Sequence, residues 1–177
     1  RGDVHKHLTL KSLVTTSKTK ENQHAFRVMQ AYAEYFAGQT ELALLSLLGL
    51  FDHPIEIEVL RVLWVAQIPD LTANIDEGDW WEAIESLRHE YQLLAERVRG
   101  EELDCHPLIR EYFGKRLEEG QPEVWRQAHT RLYEYYKSLP EKEFPDTLGE
   151  MQPLFHAVAH GCRAGLHIEV LYNLYYT

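Results

Sequence analysis

The sequence predicts a mainly helical chain carrying one small β-hairpin, on three observations. Apolar residues recur at helical spacing along most of its length, and Gly, Pro and Asp punctuate those runs where helices would stop and start. Two short apolar stretches, Leu93 to Val98 and Glu102 to Cys105, flank Arg99-Gly100-Glu101 as strands flank a turn.

Residues 1–20 hold Arg1, Lys6, Lys11, Lys18 and Lys20 among Ser and Thr with no sustained period, and read as a basic linker. From Glu21 the pattern is helical, with Phe26, Met29, Ala33 and Phe36 on one face and Gly38 as a stop. Thr40 is expected to cap a second helix, whose run from Leu42 to Phe51 is apolar all round and so belongs at the centre of a core. Between Ile55 and Ala66 the residues alternate like a strand at first and then recur like a helix. Length favours a helix throughout, ended by Pro69. Asp76 to Asp79 open a third helix with Trp80, Ile84, Leu87 and Tyr91 on one face, and the hairpin follows. Three helices and then a hairpin is the order of a winged helix.

Pro107 fits the first position of the next helix, 107–119, where its missing N–H costs nothing; Leu108, Ile109, Tyr112, Phe113 and Leu117 share a face. Gly120 and Pro122 mark a break. A long helix then runs to Leu139 with Trp125, Ala128, Leu132, Tyr135 and Tyr136 inward, and Pro140 and Pro145 bound a loop. A helix at about 151–164 and another from Ile168 complete the chain, with Gly165 between them as a left-handed cap.

With 177 residues, 45% of them hydrophobic, the chain can form one or two small cores. The formal charge of -10 disfavours a nucleic acid or an anionic membrane as main partner, since either calls for a basic face. The third helix, which would enter a DNA groove, carries Asp79, Glu82, Glu85 and Glu90 against Arg88 alone. Cys105 and Cys162 give no disulfide framework, so a reducing, cytoplasmic setting is expected. The Leu-rich run is too short to span a membrane. The chain opens on Arg1 and stops in the aromatic run ending at Thr177, and both ends read as cuts from a longer protein.

His106 stands out among polar residues because it sits where a strand passes into a helix. Free backbone N–H groups and the positive end of the dipole are expected there, and an imidazole adds one directed donor for an anion. The alternative is a polar residue near a cap. Glu82 with Glu85, and Glu118 with Glu119, lie at solvent positions with nothing to raise one pKa, so they read as helix surface. His156 and His160 have the i, i+4 spacing of metal ligands, with Cys162 close by, but no acidic partner sits between them and no metal site is expected. There is no glycine-rich phosphate loop with its Lys and no catalytic residue to name. Trp80, Trp81, Trp125 and the terminal tyrosines would serve either a core or an interface, and their helical spacing favours the core.

Cys105, His106 and Pro107 stand in the three places of a Met-His-Asp motif, and the run around them resembles the close of the winged-helix domain in STAND-class signalling ATPases. That superfamily holds the plant disease-resistance and animal apoptosome ATPases. The segments from Gln23 to Tyr32 and from Leu47 to Pro54 look like the entry to that domain in bacterial members, and the resemblance covers roughly residues 20–170. Pro107 departs from the motif's Asp, so the histidine's role carries over and the carboxylate's does not. Gly165, Glu169 and Leu171 match the spacing of the second half of a tetratricopeptide repeat, with Val170 in place of the alanine.

The resemblance implies a basic linker at 1–20 leading from an upstream nucleotide-binding domain, a winged helix with its entering helix at 21–119, and the start of a helical, tetratricopeptide-like array at 120–177. It implies a regulatory module with no catalysis or cofactor of its own. The parent would be an ATPase using ADP and ATP with Mg, and His106 would contact the ADP β-phosphate. Partners would be the upstream domain and downstream repeats of the same chain, with self-oligomerisation of the parent. The alternatives are a winged-helix DNA-binding protein and a helical-repeat interaction scaffold.

Overall fold

Leu44, Leu45, Leu47 and Leu48 are wholly buried, and the first half of the fold is assembled around the helix that carries them. A computed structural model describes residues 20–97, 102–139 and 146–175 of the chain, which is mainly helical with a small antiparallel sheet. The described residues fall into two compact units, one of residues 20–57, 74–97 and 102–122, the other of residues 58–73, 123–139 and 146–175. The basic linker before Lys20, the turn at Arg99-Gly100-Glu101, the Pro140 to Pro145 loop and Tyr176 lie outside the described residues.

In the first unit α1 (Lys20–Tyr35) turns Phe26, Met29 and Ala33 inward, and Gly38 supplies the expected stop, in a left-handed conformation at φ +81°. The next helix, α2 (Thr40–Leu48), is capped at Gln39 and not, as expected, at Thr40. Gln39 makes no side-chain cap bond; its Nε2 donates back to the Tyr35 carbonyl, and Thr40 is already helical. Gly49 ends α2 against Gly114 of α5 (Pro107–Gly120). A Cβ on either glycine would lie well inside van der Waals contact of the other's backbone, so the two chains touch main chain to main chain.

The expected helix from Ile55 is corrected at its start. Ile55–Glu56 forms a short strand, β1, that pairs antiparallel with β3 (Glu102–Cys105) in the register Ile55 to Leu103 and Glu56 to Glu102. Ladder pairing satisfies the backbone there and buries Ile55, which a first helical turn would leave with unpaired N–H groups. β2 (Leu94–Arg97) lies on the other side of β3, with Leu94 opposite Cys105, giving the sheet order β1-β3-β2.

Asp76 caps α4 (Glu77–Glu85) by accepting from the Asp79 N–H at 2.8 Å, as the acidic cluster there suggested. The helix then widens into a π turn at Ser86–Glu90, closed by Tyr91 N–H on the Ser86 carbonyl, which keeps Leu87 buried beside Trp80 and Ile84 in the same face. Helix α2 packs against α4 and α5, and α1 against α5.

The second unit takes most of α3 (Ile57–Val65), which presents Val59, Leu60 and Leu63 to a core. The helix stops at Val65, ahead of Pro69, with Gln67 at φ +46°. Thr72 closes the turn: its buried hydroxyl donates to Leu63 O and accepts from Ile68 N. Helix α6 (Pro122–Ser138) buries Val124, Ala128, His129, Leu132, Tyr133 and Tyr136, while Trp125 and Tyr135 are half-buried.

Helix α7 (Leu148–Arg163) begins three residues before the expected start near 151. Thr147 accepts from Glu150 N and the Glu150 carboxylate accepts from Asp146 N, a variant of the capping box that fixes the first turn ahead of Pro153. Gly165 at φ +79° ends it in a Schellman arrangement, Gly165 N–H to Cys162 O and Leu166 N–H to Gly161 O. Helix α8 (His167–Tyr175) then returns onto α7, and Gly161 gives room for Val170 of α8 and Tyr133 of α6.

Candidate functional site

Strand alternation and a proline build the corner at His106. In β3, Leu103 and Cys105 are buried while the Asp104 side chain keeps 17% of its surface exposed, and His106 emerges into solvent as the N-cap of α5. Pro107 excludes a helical conformation for the residue before it, and His106 sits at φ -58°, ψ 138°. Its Nδ1 accepts from the Leu108 N–H at 3.2 Å. The hydrogen of a neutral ring is then on Nε2, which leaves one donor on an exposed imidazole.

This geometry corrects the expected cluster of free backbone donors. Pro107 has none, the Leu108 N–H is taken by the ring, and the Ile109 N–H bonds the His106 carbonyl at 2.8 Å. An anion at this corner would meet the imidazole and the helix dipole before any main-chain N–H.

Beneath the corner lies Arg110, only 6% exposed, for which the sequence alone suggested no role. Its Nη2 bonds Asp104 Oδ1 at 2.5 Å, its Nε the Cys105 carbonyl at 3.4 Å, and its Nη1 the His53 carbonyl. Asp104 Oδ1 also accepts from Cys105 N at 2.9 Å. One guanidinium thus ties the end of β3, the start of α5 and the His53-Pro54 segment that enters β1. The available signal was spacing, since Arg110 lies three residues before Phe113 and seven before Leu117 on the buried face. Cys105 is chemically quiet: burial pushes its thiol up to about 11, against the pull of Arg110, so it is not a thiolate at neutral pH.

The other flagged residues separate. Glu82, Glu85, Glu118 and Glu119 are exposed, and Glu85 pairs with Arg88 and His89 on its own helix. Trp80 is core, Trp81 is 44% exposed and Trp125 stands edge-on to His129. His156 and His160 do not act as a pair: His156 lies against the Tyr136 ring, and buried His160 meets His129, a residue the sequence reading did not single out. Cys162 is exposed. Among the described residues no group of three His, Cys, Asp or Glu is placed to hold a metal, and no helix is long and apolar enough to cross a membrane. No family profile, curated protein or solved structure matches this chain.

Proposed function

We propose that this chain is a non-catalytic regulatory module of a STAND-type signalling ATPase, a winged helix followed by the start of a tetratricopeptide-like helical region. The order helix, strand, helix, helix, strand, strand and the sheet order β1-β3-β2 support the winged-helix reading. The observation that carries the function is His106: an exposed imidazole at the N-terminus of α5, its Nδ1 occupied as a cap and its Nε2–H left as a donor, in the histidine position of the Met-His-Asp-like run.

A nucleotide-binding domain of the same polypeptide would hold ADP, whose β-phosphate supplies the negative charge that the corner reads. His106 would donate to that phosphate across the domain boundary and Arg110 would keep the corner in place. The contact favours the ADP-bound closed state, and exchange for ATP would release the module to expose oligomerisation surfaces. One hydrogen bond to a charged group contributes about 1.5 to 3 kcal/mol. A full 1:99 to 99:1 switch requires about 5.5 kcal/mol. Interdomain contacts must therefore supply the remainder.

The test is His106→Ser in the full-length protein. Serine keeps an N-cap but lacks the reach of the imidazole donor, so folding should persist while ADP release quickens roughly ten- to hundredfold, the equivalent of that hydrogen bond. Unchanged ADP release in a folded variant overturns the assignment. A second reading, a protein-interaction scaffold, is favoured by exposed Phe155 and Val158 on α7 and exposed Ile168, Leu171 and Tyr172 on α8. The exposed acidic residues Asp79, Glu82 and Glu85 of α4 and Glu90 of the π turn argue against DNA as the ligand.

A further inference from the structure

Helices α6 and α7 bring two buried histidines into one contact. His129 is 0% and His160 2% exposed, their rings stack at 5.0 Å, and the two Nδ1 atoms lie 2.8 Å apart. Trp125 stands edge-on to His129 at 4.3 Å, and Tyr136 stacks parallel on His160 at 5.5 Å.

Two nitrogens at that distance accommodate one hydrogen between them. One ring must be the Nδ1–H tautomer and the other must offer its Nδ1 lone pair. His129 Nε2 is buried with no hydrogen-bond partner among the described residues. An orphaned buried N–H is the rarer defect, so the bare lone pair belongs at that nitrogen. His129 then donates through Nδ1 to His160, and His160 carries its own hydrogen on Nε2.

A further proton has two places to go. On His160 Nδ1 it would set two hydrogens face to face across 2.8 Å. On His129 Nε2 it would create a buried cation whose N–H has no acceptor among the described residues. The neighbouring charges do not help. Arg163 on α7 has the same sign and acts on His129; Lys137 of α6 is held by Glu134 and by Glu169 of α8, over the Tyr133 ring; and His156 lies against Tyr136. Neither place accepts the proton unless the rings part.

We propose that the His129–His160 contact is an acid-sensitive latch, which holds α7 against α6 while both rings are neutral and releases α7, with α8 packed on it, when the pair takes up a further proton. Burial first, then His160 and Arg163, lower His129 from an ordinary 6.5 to about 2. The unfolded segment therefore binds a proton that the folded one refuses. The latch is at full strength above pH 6.5 and weakens as pH falls from there toward about 2. Within that window the opening equilibrium rises about tenfold per pH unit for each proton taken up.

Amide hydrogen exchange of α7 and α8 in the intact chain, corrected for intrinsic rates, tests this between pH 7 and 5. The opening constant should rise at least about twenty-five-fold, the share that His129 alone contributes, and His129→Leu, which removes that share, should weaken the dependence. A wild-type constant that does not change overturns the latch. Should the variant not fold, imidazole 15N spectra of the wild type decide. One Nδ1–H and one Nε2–H ring that stay neutral until α7 opens uphold it, and a ring that titrates near 6.5 with the helices intact refutes it.

Discussion

Each unit buries a nitrogen base, and the two are satisfied to different degrees. Arg110 in the first unit is permanently charged, and it is met by a carboxylate and two backbone carbonyls. His129 in the second shares one nitrogen with another histidine and has no partner for the other among the described residues. A guanidinium cannot shed its charge, so burial requires a full set of acceptors. An imidazole can be neutral, so burial tolerates an incomplete set for as long as the pH keeps it neutral. The corner under His106 should thus be indifferent to mild acid, and the α6–α7 contact should not.

Removing the guanidinium should have the largest effect. Arg110→Ala removes a buried guanidinium from Asp104 and from two backbone carbonyls and should cost about 3 to 5 kcal/mol in denaturant unfolding. A cost near that of a surface residue would break the contrast. Next comes acidification from pH 7 to 5, which should remove about 2 kcal/mol from the second unit through His129, read by hydrogen exchange on α7, and little from α5. Equal losses in both units would end the distinction. Smallest should be His106→Ala, about 1 kcal/mol, since an exposed N-cap contributes one hydrogen bond to one helix end. A thermal-unfolding loss as large as that of Arg110→Ala would make His106 a structural residue.

These differences also mark what the sequence disclosed. Helical spacing located α1, α2, α4, α5 and α6, because the burial of Phe26, Trp80, Ile109 and Leu132 is written in local periodicity, and the turn residues between two short apolar stretches located β2 and β3. Length, which decided for a helix where the spacing also read as a strand, misplaced Ile55, whose strand exists only because Leu103, far along the chain, is there to pair with it. The sequence placed His106 at a helix start but counted free N–H groups that the ring and the carbonyl of His106 consume. Arg110 and His129 escaped notice for one reason. Periodicity says which face of a helix is buried, and it is silent on the carbonyl or imidazole that another segment brings to that face.

The contact of Gly49 with Gly114 bears on ancestry as well as on packing. Where a side chain fills a gap, drift can exchange it for another of similar volume and erase the record. Where two main chains touch, there is nothing to exchange, and every residue but glycine is refused at both places. A distant descendant of this fold can therefore alter most of its surface and much of its core while keeping a glycine at the end of the leucine-rich helix and another inside the helix after β3. Those two positions form a fingerprint by which kinship can be sought after overall similarity has decayed.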